Sequence, residues 1–142
     1  MFLAPGNMPK FAAIAERHPG LPLIVDHMSL TADIAQGRTI PKAIDELVPL
    51  ARYPNVSVKL SSAPTYSFDP YPWRDMAGHL KRCFDAFGPR RCYWGTDLTN
   101  AFAKSTYRQR ITHFTEELDF LSAADLEWIM GRGLVECLRW PV

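Results

Sequence analysis

The stretch Leu23-Ile24-Val25-Asp26-His27 decides the fold. Its three apolar residues, two of them β-branched, run without polar alternation, the pattern of a strand buried on both faces, and stop at a carboxylate and an imidazole. Upstream, Asn7 offers a helix N-cap, Pro9 fits a first turn, and Phe11, Ile14 and Ala15 recur at helical spacing until His18-Pro19-Gly20 stops them. Before that helix, Phe2-Leu3-Ala4 reads as the end of another strand, turned at Pro5-Gly6.

Downstream the alternation continues. A loop from Met28 to Ile40 leads to a helix starting near Pro41, with Ile44, Leu47, Val48 and Ala51 on one face and Pro49 placed to kink it. Asn55-Val56-Ser57-Val58-Lys59-Leu60 is the next strand, opening into Ser61-Ser62 and a long loop to Pro72. Trp73, Met76, Ala77, Leu80, Phe84 and Phe87 then form one helical stripe ending at Gly88-Pro89, and Cys92-Tyr93-Trp94 is a strand that closes at Gly95-Thr96-Asp97. Ser105 is placed to cap a helix bearing Tyr107, Ile111, Phe114 and Leu118, and Ser122 with Asp125 makes a capping box ahead of Leu126 and Ile129. The predicted order is β-α-β-α-β-α-β-α-α. Strands joined by helices of this length run parallel, with right-handed crossovers and helices covering the sheet, so the fold class is α/β.

Composition narrows the function. With 142 residues and 47% hydrophobic content, the chain supports one core, read as a single domain over residues 1–142. Sixteen Lys and Arg against fifteen Asp and Glu leave a formal charge of +1 without a basic block, which argues against a nucleic-acid partner. No apolar run approaches the roughly 20 residues of a membrane span, and the N-terminus has no targeting pattern. Cys83, Cys92 and Cys137 show no C-x-x-C pairing, so they read as reduced, mostly buried thiols in a cytoplasmic protein rather than a disulfide framework or zinc ribbon.

Parallel α/β folds deliver every strand's C-terminal end to one face, where chemistry collects. Three strands finish there on polar groups: Asp26-His27, Lys59 with Ser61-Ser62, and Thr96-Asp97. A histidine and a carboxylate at one rim can bind a metal, or can polarise a carbonyl while the carboxylate takes a proton from water. Spacing does not choose between these, nor does it exclude plain structural roles: loop hydrogen bonds for Asp26, a satisfied buried imidazole for His27, a cap for Asp97. His18 reads as a helix-end residue, and His79 and His113 lie within amphipathic helices, with His113 expected on the helix surface. No two histidines are two residues apart, so the H-x-H pair of a one-strand metal site is missing. Lys59 alternates with Val58 and Leu60, which points it into the centre, where it needs a partner. Tyr66, Phe68 and Tyr71 make the Ser61-to-Pro72 loop aromatic; these rings either cover a substrate or pack on neighbouring helices. Glycine-rich nucleotide loops and a G-x-S-x-G elbow are absent.

Three segments carry a resemblance. His18 to Met28, Asn55 to Ser62, and Phe87 to Asp97 are each similar to segments of amidohydrolase-related proteins, a group that includes lactonases and decarboxylases. The resemblance runs from about Phe2 to Trp140. It implies a TIM barrel of which the four strand signals are the fifth to the eighth. A complete barrel takes about 250 residues, so the expectation is the C-terminal half, four β/α units, as a truncated gene product or one part of a split protein.

The resemblance further implies a hydrolase acting on a lactone or another small cyclic or carboxylated substrate. Asp97 would activate water, His27 would stabilise the carbonyl oxygen, and both would be ligands if a divalent metal such as zinc is bound. Ser61, Ser62 and Tyr66 are the candidate substrate contacts. In relatives the first strand carries H-x-H, so this chain alone holds part of a site. Ser29 and Leu30 follow His27 where dicarboxylate lactonases have glycine and arginine. Two rival readings are a non-catalytic half-barrel that assembles with itself or with a complementary N-terminal half, and a flavodoxin-like sheet that binds a ligand without chemistry.

Overall fold

The computed structural model describes residues 1, 3, 6–99 and 103–141. Three parallel strands, β1 (Leu23–Val25), β2 (Val56–Lys59) and β3 (Cys92–Tyr93), lie in the order β1-β2-β3, as successive β/α units require. The strand expected at Phe2-Leu3-Ala4 falls largely outside the described residues. Its neighbour Met1 nevertheless donates to Ile24 O and accepts from Asp26 N at 3.0 Å, the alternation of a parallel ladder along the free edge of β1.

Register assigns the two faces of the sheet. Val25, Val58 and Cys92 form one row across the strands, each wholly buried, while Ile24 pairs with Ser57 and Lys59 with Tyr93 on the opposite face. Helices α1 (Met8–Arg17), α3 (Ile40–Leu47) and α5 (Arg74–Phe87), with the short α2 (Ala32–Gln36) ahead of α3, cover the sheet, and Phe11, Ile44, Leu47, Met76 and Leu80 join the same core as that apolar row. The second face is polar. There the half-buried Lys59 has a partner: its Nζ lies 2.7 Å from Asp26 Oδ1.

Local chemistry departs from the expected caps in ways that have physical causes. Asn7 stands before α1 but makes no side-chain cap bond. Asn55 instead ties off the far end of that helix, its Nδ2 donating to Ala15 O, His18 O and Leu21 O. Thr106, not Ser105, caps α6 (Tyr107–Thr112), because Gln109 stands at the third helical position and completes a capping box. The Ser122–Asp125 box opens α7 (Ala123–Glu127) as expected. At Val48–Arg52 the end of α3 tightens into a 3-10 turn around Pro49. The loop after Ser62 contains two further features, the short helix α4 (Ala63–Tyr66) and Trp73 in a left-handed conformation before α5.

Beyond β3 the chain winds into two π-helical stretches, His113–Glu117 and Trp128–Arg132, followed by α8 (Gly133–Leu138). Ile129 O accepts from Trp94 N at 2.9 Å, so the second π stretch satisfies part of β3's outer edge. Cys83 and Cys92 are buried, and Cys137 is half-buried. His113 is 1% exposed rather than on the helix surface, because the stretch it opens turns inward between Trp73 and Phe114.

Candidate active site

The site is built where strands end. Directly after β1 the chain enters a tight turn, Asp26–Ser29, in which His27 and Met28 both adopt left-handed backbone angles (φ 52° and 54°). Met28 and Leu30 plunge into the core and Ser29 Oγ donates to Leu3 O at 2.6 Å. These anchors hold the turn, so the His27 imidazole stays at the rim. Past β2, Ser62 is also left-handed (φ 73°), and past β3 so is Asp97 (φ 45°). An L-residue in this region costs about 1–2 kcal/mol, and packing maintains it here at three neighbouring strand ends.

Those three ends converge. His27 Nδ1 lies 2.7 Å from Ser61 Oγ and 2.9 Å from Ser62 Oγ. Ser62 Oγ donates to Asp97 Oδ2, and His27 Nε2 stands 3.9 Å from Asp97 Oδ1. Both serines are 2% exposed, whereas the His27 side chain is 19% exposed and so opens to the rim. Gly95 lies against this cluster at ordinary contact distance. A Cβ there would sit 3.4 Å from Ser61 Cβ and 3.5 Å from Lys59 Cε.

A second layer supports Asp97. Arg110 on α6 is buried, donates from Nη1 to Thr96 O, and accepts from Trp94 Nε1 at 3.2 Å through its own carbonyl. Burial pushes the Arg110 pKa down while the Asp97 charge pulls it up. Tyr66 is buried, with its hydroxyl donating to Leu30 O at 2.8 Å. Burial, then the charge of Asp97, push its phenol up to about 12, so it remains a neutral donor. Asp26, next to His27 in sequence, is pushed up by burial but held below the usual carboxylate value overall by the Lys59 ammonium bonded to it.

The sequence-derived candidates His27, Asp97, Ser61 and Ser62 therefore meet in one hydrogen-bonded cluster, with Tyr66 one step behind. Arg110 departs from the rule that an arginine on an amphipathic helix faces water; its four-residue spacing to Phe114 and Leu118 on the apolar stripe is the sequence signal that marks its burial. His18 and His79 stand apart from the cluster.

As a metal centre the set is partial. An imidazole nitrogen and a carboxylate oxygen are donors zinc accepts at about 2.0–2.2 Å, and their 3.9 Å separation is within reach of one ion. Among the described residues no group of three or more His, Cys, Asp or Glu gathers to complete such a site. No helix among the described residues is long and apolar enough to cross a membrane.

Comparison with known proteins places this architecture. The amidohydrolase family model matches residues 1–132, and the chain belongs to the amidohydrolase family. It is 32% identical over 96 residues to an L-fucono-1,5-lactonase of Burkholderia ambifaria, a match covering 67% of this chain and 32% of the lactonase. The crystal structure of an amidohydrolase from Burkholderia multivorans with bound zinc superposes with a TM-score of 0.84 at 25% identity, over 99% of this chain and 52% of that one. An amidohydrolase 2 from Bifidobacterium longum subsp. infantis shares the fold alone, with a TM-score of 0.59 at 19% identity over 93% of this chain and 45% of that one. The parallel β/α units correspond to the C-terminal half of an amidohydrolase TIM barrel, and the chain spans about a third of the curated relative and about half of the solved ones.

Proposed function

We propose that this chain supplies the His27–Asp97 rim of a hydrolase active site that opens a lactone or another small cyclic or carboxylated substrate. The observation that carries the reading is the convergence of His27, Ser62 and Asp97 at three strand ends. Support for a lactone comes from the similarity to an L-fucono-1,5-lactonase. In this reading Asp97 takes a proton from the attacking water as general base, and His27 stabilises the carbonyl oxygen. A divalent ion such as zinc, if bound by His27 Nε2 and Asp97 Oδ1 with ligands from elsewhere, would polarise the carbonyl as a Lewis acid. The three free cysteines, two of them deeply buried thiols, favour a reducing, cytoplasmic setting.

The non-catalytic half-barrel remains a second reading because of the polar sheet face. Ile24, Asp26 and Lys59 stay partly exposed there, on the side a closed barrel would enclose. In this reading residues 1–142 are four β/α units whose face and edge are covered by a second copy or by a complementary N-terminal half.

Lactone hydrolysis followed by pH-stat, on the chain alone and on its size-separated assemblies, tests the first reading. Asp97→Asn is expected to lower kcat about 10²–10⁴-fold with the assembly mass unchanged. Turnover indifferent to that substitution overturns the general-base role. Well-formed assemblies that never turn over favour the half-barrel reading.

A further inference from the structure

A cavity of about 10 Å³ lies against the rim, and the proposed chemistry does not use it. Ser62, which bridges His27 and Asp97, forms one wall, and Gly95, Thr96, Arg110 and His113 form others. His113 is 1% exposed, and its Nε2 is buried with no hydrogen-bond partner among the described residues. Trp73 and Phe114 stand edge-to-face against the ring at 5.0 and 5.5 Å and hold it in place. A ring nitrogen in that position has lost its hydration, and native structures ordinarily return such a bond through the protein or through an ordered water.

Size and charge narrow the occupant. The volume is about that of one water-sized sphere, close to the least that holds a water and too little for a larger molecule. The Arg110 guanidinium on the same wall disfavours a cation. Water both donates and accepts, so it suits Nε2 whichever ring nitrogen carries the hydrogen. We propose that this cavity is the site of one buried water, bonded to His113 Nε2 and to the polar wall that Ser62 and Thr96 supply. Such a water joins the π-helical stretch after α6 to the ends of β2 and β3, and so braces the rim from the side of His113. The rival partner for Nε2 is the π face of Trp73, a weaker contact. The inference goes beyond the hydrolase reading and holds whether or not the chain opens a lactone.

Crystallography of the chain, at a resolution that shows ordered water, tests this. In wild type a peak is expected inside the cavity at hydrogen-bond distance from His113 Nε2. A cavity without that peak, or an Nε2 bonded to a protein group or set on the face of Trp73 instead, overturns the site without any variant having to fold. His113→Gln keeps a polar group near the place of Nε2 and is expected to keep the peak. His113→Met, similar in size but without a strong donor or acceptor, is expected to lose it. A peak that stands unchanged in a folded His113→Met protein overturns the part given to His113. Turnover does not enter any of these outcomes, so a chain that hydrolyses no lactone but shows the peak leaves the water site intact, and an active chain without the peak removes it.

Discussion

Lys59 Nζ lies 2.7 Å from Asp26 Oδ1, an ion pair that ties β2 to the end of β1 one residue before the site's histidine. Both side chains are about a third exposed, so the pair is partly screened. Lys59→Met is expected to cost about 1 kcal/mol at neutral pH, with less difference in high salt. Because the folded Asp26 carboxyl lies below its ordinary value, the pair contributes fully above that value and its contribution is lost as pH falls through the folded pKa. Urea unfolding below about pH 4 is therefore expected to show wild type losing its advantage over the variant.

His113 titrates in the opposite environment. Buried against Trp73 and Phe114 at ring separations of 5.0 and 5.5 Å, its pKa is pushed down to about 4. Unfolded, it takes a proton near pH 6.5, so its contribution to stability is full above about pH 6.5 and is lost as pH drops toward 4. In His113→Phe the loss over this window should shrink, leaving the part that belongs to His79, whose pKa burial also lowers. Denaturant midpoints at intervals across the window check this, and parallel curves for wild type and variant count against it.

Arg91 is a purely structural hub within a segment that resembles the family. Its guanidinium donates to the carbonyls of Phe87, Ala51, Tyr53 and Val56 while stacking over the Phe87 ring at 5.5 Å. Arg91→Met leaves four carbonyls short of a donor and is expected to destabilise by about 3 kcal/mol. Arg91→Lys should recover only a fraction, since one ammonium does not span the fork. Thermal melts of the two variants separate geometry from charge.

Two glycines predict opposite tolerance. A Cβ on Gly133 would meet Tyr93 Cε1 at 3.0 Å and the carbonyls of Trp128 and Arg90 at 3.1 and 3.2 Å, so Gly133→Ala is expected to cost about 1–3 kcal/mol. At Gly95 the neighbours stand at ordinary contact distance, and Gly95→Ala should leave the urea midpoint almost unchanged while narrowing the space above Lys59.

What the sequence makes legible is whatever rests on periodicity. Leu23–Val25 and the Met76–Leu80–Phe87 stripe announce themselves, because burial on fixed faces leaves a repeat, and the polar residues that stop the strands mark the rim. Contacts between distant segments leave none. Asn55 reaching back to three carbonyls of the α1 terminus, Arg110 folding inward to Thr96, and His113 turned into the core by a π-helical stretch depend on where segments land. The candidate site is legible as a set of residues but not as a hydrogen-bond order: spacing brings His27 and Asp97 to one rim, and only geometry reveals that Ser62 stands between them while Ser61 holds the imidazole alone.

The left-handed backbones of His27, Ser62 and Asp97 have a consequence for how this protein would respond to selection for heat tolerance. Glycine would relieve each of these torsions, so at these three positions local stabilisation competes with the side chains that the proposed function uses. Thermal adaptation would find the same relief at Arg38 and Arg139, outside the cluster, and a variant that gained stability at His27, Ser62 or Asp97 is the one in which the proposed activity should fall.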